Sequence, residues 1–364
     1  MPYPFPPAAV PLLLDWYRQS RRDLPWRENR DPYRVLVSEI MLQQTRAETV
    51  KPYFHRFLAT LPTVADLAEA DEPTLLKLWE GLGYYSRVRN LQKAARAVME
   101  KHNGIIPADF QALLALPGVG RYTAGAVASI AFDIPVPAVD GNVLRVLARL
   151  TGDDTDILSS AAKKNAEAVI GPHVPSPGAG DFTQGLIELG AMICVPGSTP
   201  KCGDCPLQLL CVANREGRQS ELPVRLTKTR RRVEERTVLV LRWRDGDGNT
   251  YVALRKRPPE GLLGGLYEFP CMDGHADEGK VRIGMSSMGL SVGHVTELPA
   301  AKHLFSHIEW RMIGYAVDLT SAPPTVGDWF FAEVTELDSY YAVPSAYGAY
   351  RPYCFEGNLP ANRT

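Results

Sequence analysis

Eighteen residues, CVPGSTPKCGDCPLQLLC (194–211), carry four of the chain's six cysteines, spaced C-x7-C-x2-C-x5-C. The N-terminus, MPYPFPPAAV, lacks the basic stretch and apolar run of an export signal, so a reducing compartment is expected. There, clustered thiols point to metal more than to disulfides. A structural zinc site would usually show paired C-x-x-C knuckles or histidines. Here one C-x-x-C is flanked by single cysteines, with no histidine between them. Four thiolates in one short loop suit an iron–sulfur cluster held by Cys194, Cys202, Cys205 and Cys211. Cys271 and Cys354 stand apart.

The length of 364 residues accommodates two domains. A net charge of −1 does not announce a nucleic-acid partner, although a local basic face survives such averaging. The apolar stretch Ala124–Phe132 is too short to span a bilayer, which needs about 20 residues. A cytoplasmic protein is expected. Residues 10 to about 222 read as helical: VRNLQKAARAVMEKH and VLRVLARL repeat apolar residues at three- and four-residue spacing. The polar, basic segment PVRLTKTRRRVEER (223–236) reads as a linker. Strand patterns follow at TVLVLRWR (237–244), YVALRKR (251–257), IEWRMIGYAVDL (308–319) and DWFFAEV (328–334), predicting an α+β domain with an antiparallel sheet.

Three further stretches carry candidate chemistry. In LPGVGRYTAG (116–125), Gly118 and Gly120 leave backbone N–H groups open at a helix N-terminus, where an anion such as a DNA phosphate is favoured. A plain helix–turn–helix corner would read the same way. In VLVSEIMLQQT (35–45), Glu39 has Val35, Leu36, Leu42 and Gln43 as helical neighbours. Desolvation there raises a carboxyl pKa toward that of a general acid, although a buried, structurally satisfied glutamate is the competing reading. In PAVDGNVLRVLARL (137–150), Asp140 reads as a helix N-cap. A carboxylate there can also face a cleft and stabilise a developing cation.

In their order along the chain, SEIMLQQT, GLGYYSRVRN, LPGVGRYTAGAVASIAF, VDGNVLRVLAR and the four-cysteine loop resemble the helix-hairpin-helix DNA glycosylases, and specifically the MutY-type adenine DNA glycosylases. The resemblance runs from about residue 15 to 215. KHLFSHIEW (302–310) resembles the lesion-recognition loop of that family's MutT (Nudix)-like C-terminal domain. The resemblance implies a mostly α catalytic region over 1–222, a linker over 223–236 and a MutT-like domain over 237–364. It divides the catalytic region into a six-helix module (about 25–134) and an iron–sulfur module (about 1–24 with 135–222).

It also implies a monomer that acts on double-stranded DNA, flips out adenine paired with 8-oxoguanine or guanine, and carries a [4Fe-4S] cluster. In that reading Glu39 protonates the adenine ring and Asp140 stabilises the oxocarbenium-like sugar, with Tyr122 and Asn142 hydrogen-bonding around them. Gln184 reads the flipped base, and Gln44 and Tyr84 wedge the stack. Phe305, Ser306 and His307 contact 8-oxoguanine. Arg22, Leu24, Trp26, Arg27, Thr45, Gly118, Val119 and Gly120 complete the implied DNA-contacting set.

Endonuclease III relatives carry a lysine after the hairpin, and its amine breaks the strand. Tyr122 cannot form a Schiff base, so the resemblance implies base removal without strand scission. The chain departs from the family pattern in its first cysteine gap, which has seven residues where six are usual. It also lacks the acidic REUxEE helix of nucleotide-hydrolysing Nudix enzymes after GLLGGLYEFP, so its second domain is expected to bind and not hydrolyse. The alternatives are a bifunctional glycosylase–lyase, a nucleotide-pool hydrolase and a non-catalytic iron–sulfur DNA-binding protein.

Overall fold

A computed structural model describes residues 3–226 and 231–355 of the chain. They fall into two compact units, residues 3–70 with 86–226, and 71–85 with 231–355. No helix among the described residues is long and apolar enough to cross a membrane.

The first unit is helical: α1 (Ala9–Ser20), α2 (Pro32–Leu42), α3 (Ala47–Thr60), α4 (Val64–Glu69), then α6 (Ser86–His102), α7 (Phe110–Leu114), α8 (Arg121–Phe132), α9 (Gly141–Thr151), α10 (Ser160–Ile170), α11 (Ala179–Met192) and α12 (Val212–Glu216). The segment Asp71–Tyr85, with α5 (Glu72–Leu78), clusters with the second unit. Three of the four helices at the site are fixed by their local sequence. α2 starts at Pro32 behind Asp31, whose side chain accepts from Arg34 N–H at 2.8 Å. It is buried almost all round, from Tyr33 to Met41, as expected of a helix with an apolar sequence.

α9 buries Val143, Leu144, Val146, Leu147 and Leu150 in a core shared with α1 and α11. At about 1.5–3 kcal/mol per fully buried aliphatic side chain, that stripe fixes the helix and whatever caps it. α8 follows the glycine turn. Gly118 has φ +72°, and a Cβ there would stand 2.4 Å from Asn90 Cβ on α6, so both the turn and the packing require glycine.

The second unit holds a seven-stranded sheet in the order β3-β2-β1-β6-β5, with β4 paired to β1 and β7 to β2. The strands are β1 (Arg232–Arg244), β2 (Thr250–Lys256), β3 (Tyr267–Glu268), β4 (Cys271–Asp273), β5 (Val292–Leu304), β6 (Ile308–Leu319) and β7 (Trp329–Glu333), with α13 (Glu278–Ser287) before β5. Two expectations need correction. The sheet is mixed, because β1 and β6 run parallel from Arg232↔Ile308 to Trp243↔Leu319, joined by a long connection that includes α13. Residues 232–236, read as linker, begin β1. Two of their charges are taken up in the sheet: Glu234 accepts from Trp310 Nε1–H at 2.9 Å, and the Arg236 guanidinium lies 4.1 Å from the Trp310 ring centre. Residues 227–230 of the expected linker lie outside the described residues.

Candidate active site

The first unit contains an open cleft of about 1500 Å³, and α2, α8, α9 and α11 converge on it. Glu39 lines it from α2 and is only 6% exposed. Burial pushes its carboxyl up to about 7 and the neighbouring Asp140 charge adds to this, against the Tyr122 hydrogen bond and Arg27, which lower it. The Tyr122 hydroxyl donates to Glu39 Oε2 at 2.6 Å. That phenol's own pKa is driven far up, first by burial and then by the Glu39 and Asp140 charges, so it stays a neutral donor.

Asp140 both caps a helix and lines the cleft. Its Oδ1 accepts from Val143 N–H at 2.8 Å, capping α9. Its Oδ2 accepts from Asn142 Nδ2–H at 2.7 Å, and the residue lines the cleft. Burial raises its pKa against those hydrogen bonds and Arg145. Asn142 is itself oriented, because Arg145 donates to its Oδ1 at 2.9 Å while also reaching Gly190 O (2.8 Å) and Cys194 O (2.7 Å). Gly190 lets Asn142 pack close to α11: a Cβ there would fall 2.6 Å from Asn142 Cβ.

One carboxyl near neutrality, one carboxylate and a neutral phenol around a cleft form a set that can protonate a leaving group and stabilise a cation. The expected residues Arg22, Leu24, Trp26 and Arg27 line the cleft from the segment after α1. Gln44, Thr45, Gly118, Gly120 and Gln184 line it too. Gln44 adopts φ +57°, a left-handed conformation uncommon for residues other than glycine. Arg87 secures that turn by donating to Ile40 O, Met41 O and Gln43 O at 2.9, 3.0 and 2.6 Å.

Val119 differs from the rest. Its side chain is buried, and its amide N–H is used within the hairpin, donating to Leu116 O at 3.1 Å. The α8 N-terminus has no side-chain cap, which leaves its first amides for an anion.

Sequence reasoning missed Glu188. It is fully buried on α11 and accepts from Arg22 and Arg27. A glutamate inside the apolar run GLIELG is the same kind of signal that singled out Glu39.

In the second unit, Tyr84 (φ +48°) has its hydroxyl 2.7 Å from Ser306 Oγ. Phe305, Ser306 and His307 form the tip between β5 and β6. The Phe305 ring packs on His303 and Trp310, at 4.6 and 4.8 Å between centres, while Ser306 and His307 are exposed.

None of the four expected metal ligands is in a disulfide. Among the described residues no three Cys, His, Asp or Glu side chains gather closely enough for one ion. The thiols are nonetheless neighbours. Burial pushes Cys205 up to about 12, with the Cys194, Cys211 and Cys202 charges adding to it, and Cys211 is raised likewise.

A second observation fits a group of net negative charge. The Arg149 guanidinium is buried with no carboxylate partner among the described residues. It donates to Cys194 Sγ (3.4 Å), Val195 O (2.8 Å), Gly197 O (2.9 Å) and Leu222 O (2.8 Å). A buried cation needs such compensation. The long first gap folds back on itself through Lys201 N–H to Ile193 O at 3.0 Å.

Residues 37–172 match the family model described as HhH-GPD superfamily base excision DNA repair protein, and residues 237–349 match the NUDIX domain model. A rat (Rattus norvegicus) protein named Adenine DNA glycosylase is 36% identical over 369 residues, covering 86% of this chain and 70% of the relative. The chain belongs to the adenine DNA glycosylase family. It is therefore a base-excision-repair enzyme that acts on adenine in DNA. The human (Homo sapiens) Adenine DNA glycosylase is 35% identical over 378 residues, covering 86% of this chain and 68% of that protein. Among solved structures, a thermostable thymine-DNA glycosylase superposes with a TM-score of 0.52 at 31% identity, covering 57% of this chain and 96% of its own. The adenine glycosylase assignment accounts for a helical catalytic unit and a Nudix-like sheet in one chain.

Proposed function

We propose that this adenine glycosylase is monofunctional and removes adenine paired with 8-oxoguanine or guanine in duplex DNA. The observation that carries the reading is the Glu39–Tyr122 pair: a carboxyl with pKa about 7, hydrogen-bonded at 2.6 Å by a phenol where a lyase needs an amine. With the base flipped into the cleft, Glu39 gives its proton to a ring nitrogen, and the bond from that base to C1′ breaks with its electrons leaving on the base. Asp140 stabilises the cationic sugar, held by Asn142 and the α9 amide. Water adds to C1′ and gives up a proton, which restores the Glu39 acid, leaving an abasic site and free adenine. The uncapped α8 N-terminus and Gly118–Gly120 turn hold a backbone phosphate. Cys194, Cys202, Cys205 and Cys211 would hold a [4Fe-4S] cluster, which ties the loop down beside Arg149 and α9.

The test is a duplex with one adenine opposite 8-oxoguanine or guanine, assayed for free adenine and for strand breaks with and without alkali. Alkali-dependent breaks, faster opposite 8-oxoguanine, are the expected result. Absence of adenine release from either duplex would sink the reading.

The exposed Ser306 and His307, beside the half-buried Phe305 at the β5–β6 tip, support lesion recognition by the second unit. The full-length Phe305→Ala/Ser306→Ala variant should lose roughly tenfold of its preference for 8-oxoguanine over guanine, the equivalent of about 1.4 kcal/mol of contact. Unchanged discrimination would remove the loop from that role.

The protein should purify brown, with a broad visible absorbance and about four irons per chain. Cys202→Ala should lower the iron content, while Cys271→Ser should not. Stoichiometric zinc in active protein prepared without oxygen would reject the cluster.

A further inference from the structure

Glu188 is a buried charge in the cleft that the excision chemistry leaves unused. Its carboxylate accepts three N–H groups of Arg22 and two of Arg27, at 2.8–3.2 Å. Burial alone would raise its pKa, but the Arg22 and Arg27 hydrogen bonds bring it down to about 2, so it is ionised at any working pH. Arg27 is thereby immobilised. Its side chain is 9% exposed, it donates to Arg22 O at 3.1 Å, and its guanidinium lies 5.5 Å from the Tyr17 ring centre. With the ends of its fork on Glu188, its remaining Nε–H points at one group: Gln184 Oε1, 3.1 Å away, one turn earlier on α11.

That bond decides which way the Gln184 amide faces. A flipped amide would set its NH2 against the Arg27 Nε–H, donor against donor. In the orientation held, Oε1 keeps a second lone pair, and Nε2 keeps a proton beyond the one it offers Gly180 O at 3.3 Å. Gln184 lines the cleft, so a base there meets a fixed acceptor beside a fixed donor. A 6-aminopurine presents the complement, an amino donor beside a ring-nitrogen acceptor. A 6-ketopurine presents a carbonyl oxygen in place of the amino group, and oxygen would face oxygen. A site built to pair with a donor rejects an analogue lacking it, because the site's own polar group is left unpaired.

We propose that Glu188 is a specificity-determining residue that acts through Arg27, locking the Gln184 amide so that the cleft selects a 6-aminopurine over a 6-ketopurine. The inference rests on reading the cleft as the adenine-excision site. Glu188 is a positioning residue, since it touches the base only through Arg27 and Gln184.

The experiment uses the full-length protein in excess over duplexes that differ in one base, adenine or hypoxanthine opposite 8-oxoguanine, with single-turnover release followed for hours. Wild type should strongly favour adenine. Glu188→Gln keeps the shape but loosens Arg27. It should lower the adenine-to-hypoxanthine rate ratio at least roughly tenfold, as expected when one pairing group loses its orientation. Because Glu188→Gln leaves two guanidiniums short of a carboxylate, it can fail to fold. Arg27→Lys keeps a cation beside Glu188 but has no Nε–H for Gln184, and its ratio should fall likewise. A ratio equal to wild type in folded, duplex-binding Arg27→Lys overturns the proposal, even if both rates drop together. Wild-type protein that releases no adenine would instead overturn the functional reading on which it rests.

Discussion

Glu39→Gln should lower single-turnover adenine release by about 10²-fold or more, the range for loss of a general acid. The substitution keeps the shape and lets the amide oxygen accept from the Tyr122 hydroxyl, as Oε2 does at 2.6 Å. What it removes is a proton available near neutral pH, since burial holds the wild-type carboxyl at about 7. The wild-type rate should therefore decline as pH rises above about 7 and the acid ionises. An acidic limb should report protonation of Asp140, and the two apparent values belong to the coupled pair.

Stability supplies a second readout. A carboxyl raised from 4.5 to about 7 stabilises the fold by holding its proton, fully below pH 4.5 and progressively less as pH climbs through 7. That term is about 3 kcal/mol. Glu39→Gln has no carboxylate to desolvate, so it should melt above wild type at pH 8 and show much less gain at pH 5. Near-wild-type release by the variant would reject the assignment. Lost release together with a lower melting temperature at pH 8 would mean that a structural defect is the cause.

Much of this site was legible because its signals are local. Asp140 stands before an apolar-periodic helix, and both its N-cap and its cleft-facing role follow from that position. Glu39 lies among apolar neighbours within one helical turn, and the glycines at 118 and 120 mark a turn into α8. What escaped depends on contacts between distant segments. Glu188 meets Arg22 at a separation of 166 residues, and no periodicity links RRDLPWR to GLIELG. Arg145 and Arg149 read as interruptions in an amphipathic helix, and only the tertiary structure turns them inward to the cysteine loop. β5 was missed because TELPAAKHL contains a proline and no clean alternation, and its register with β6 is irregular between Leu298 and Ala301. The parallel β1–β6 pair joins segments more than sixty residues apart, beyond the reach of any local pattern.

Tyr122→Lys should turn a base-removing enzyme into one that also cuts the strand. Position 122 is the second residue of α8, and its side chain reaches the Glu39 carboxyl at the cleft wall. A lysine nitrogen there would be desolvated and would sit near the positive end of the helix dipole, and both effects favour the neutral amine. The Glu39 and Asp140 charges oppose this, so nicking should rise with pH as the amine deprotonates. The neutral amine adds to C1′ of the abasic aldehyde and expels water to form an imine. Loss of the 2′ proton then expels the 3′ phosphate and breaks the strand. Borohydride should reduce the imine and trap the variant on DNA, whereas wild type should trap little and nick only after alkali. Adenine release should slow meanwhile, because Glu39 loses its phenol partner. Efficient alkali-free nicking by wild type would overturn the monofunctional reading. A folded, DNA-binding Tyr122→Lys protein that neither nicks nor traps would mean that position 122 does not face the sugar.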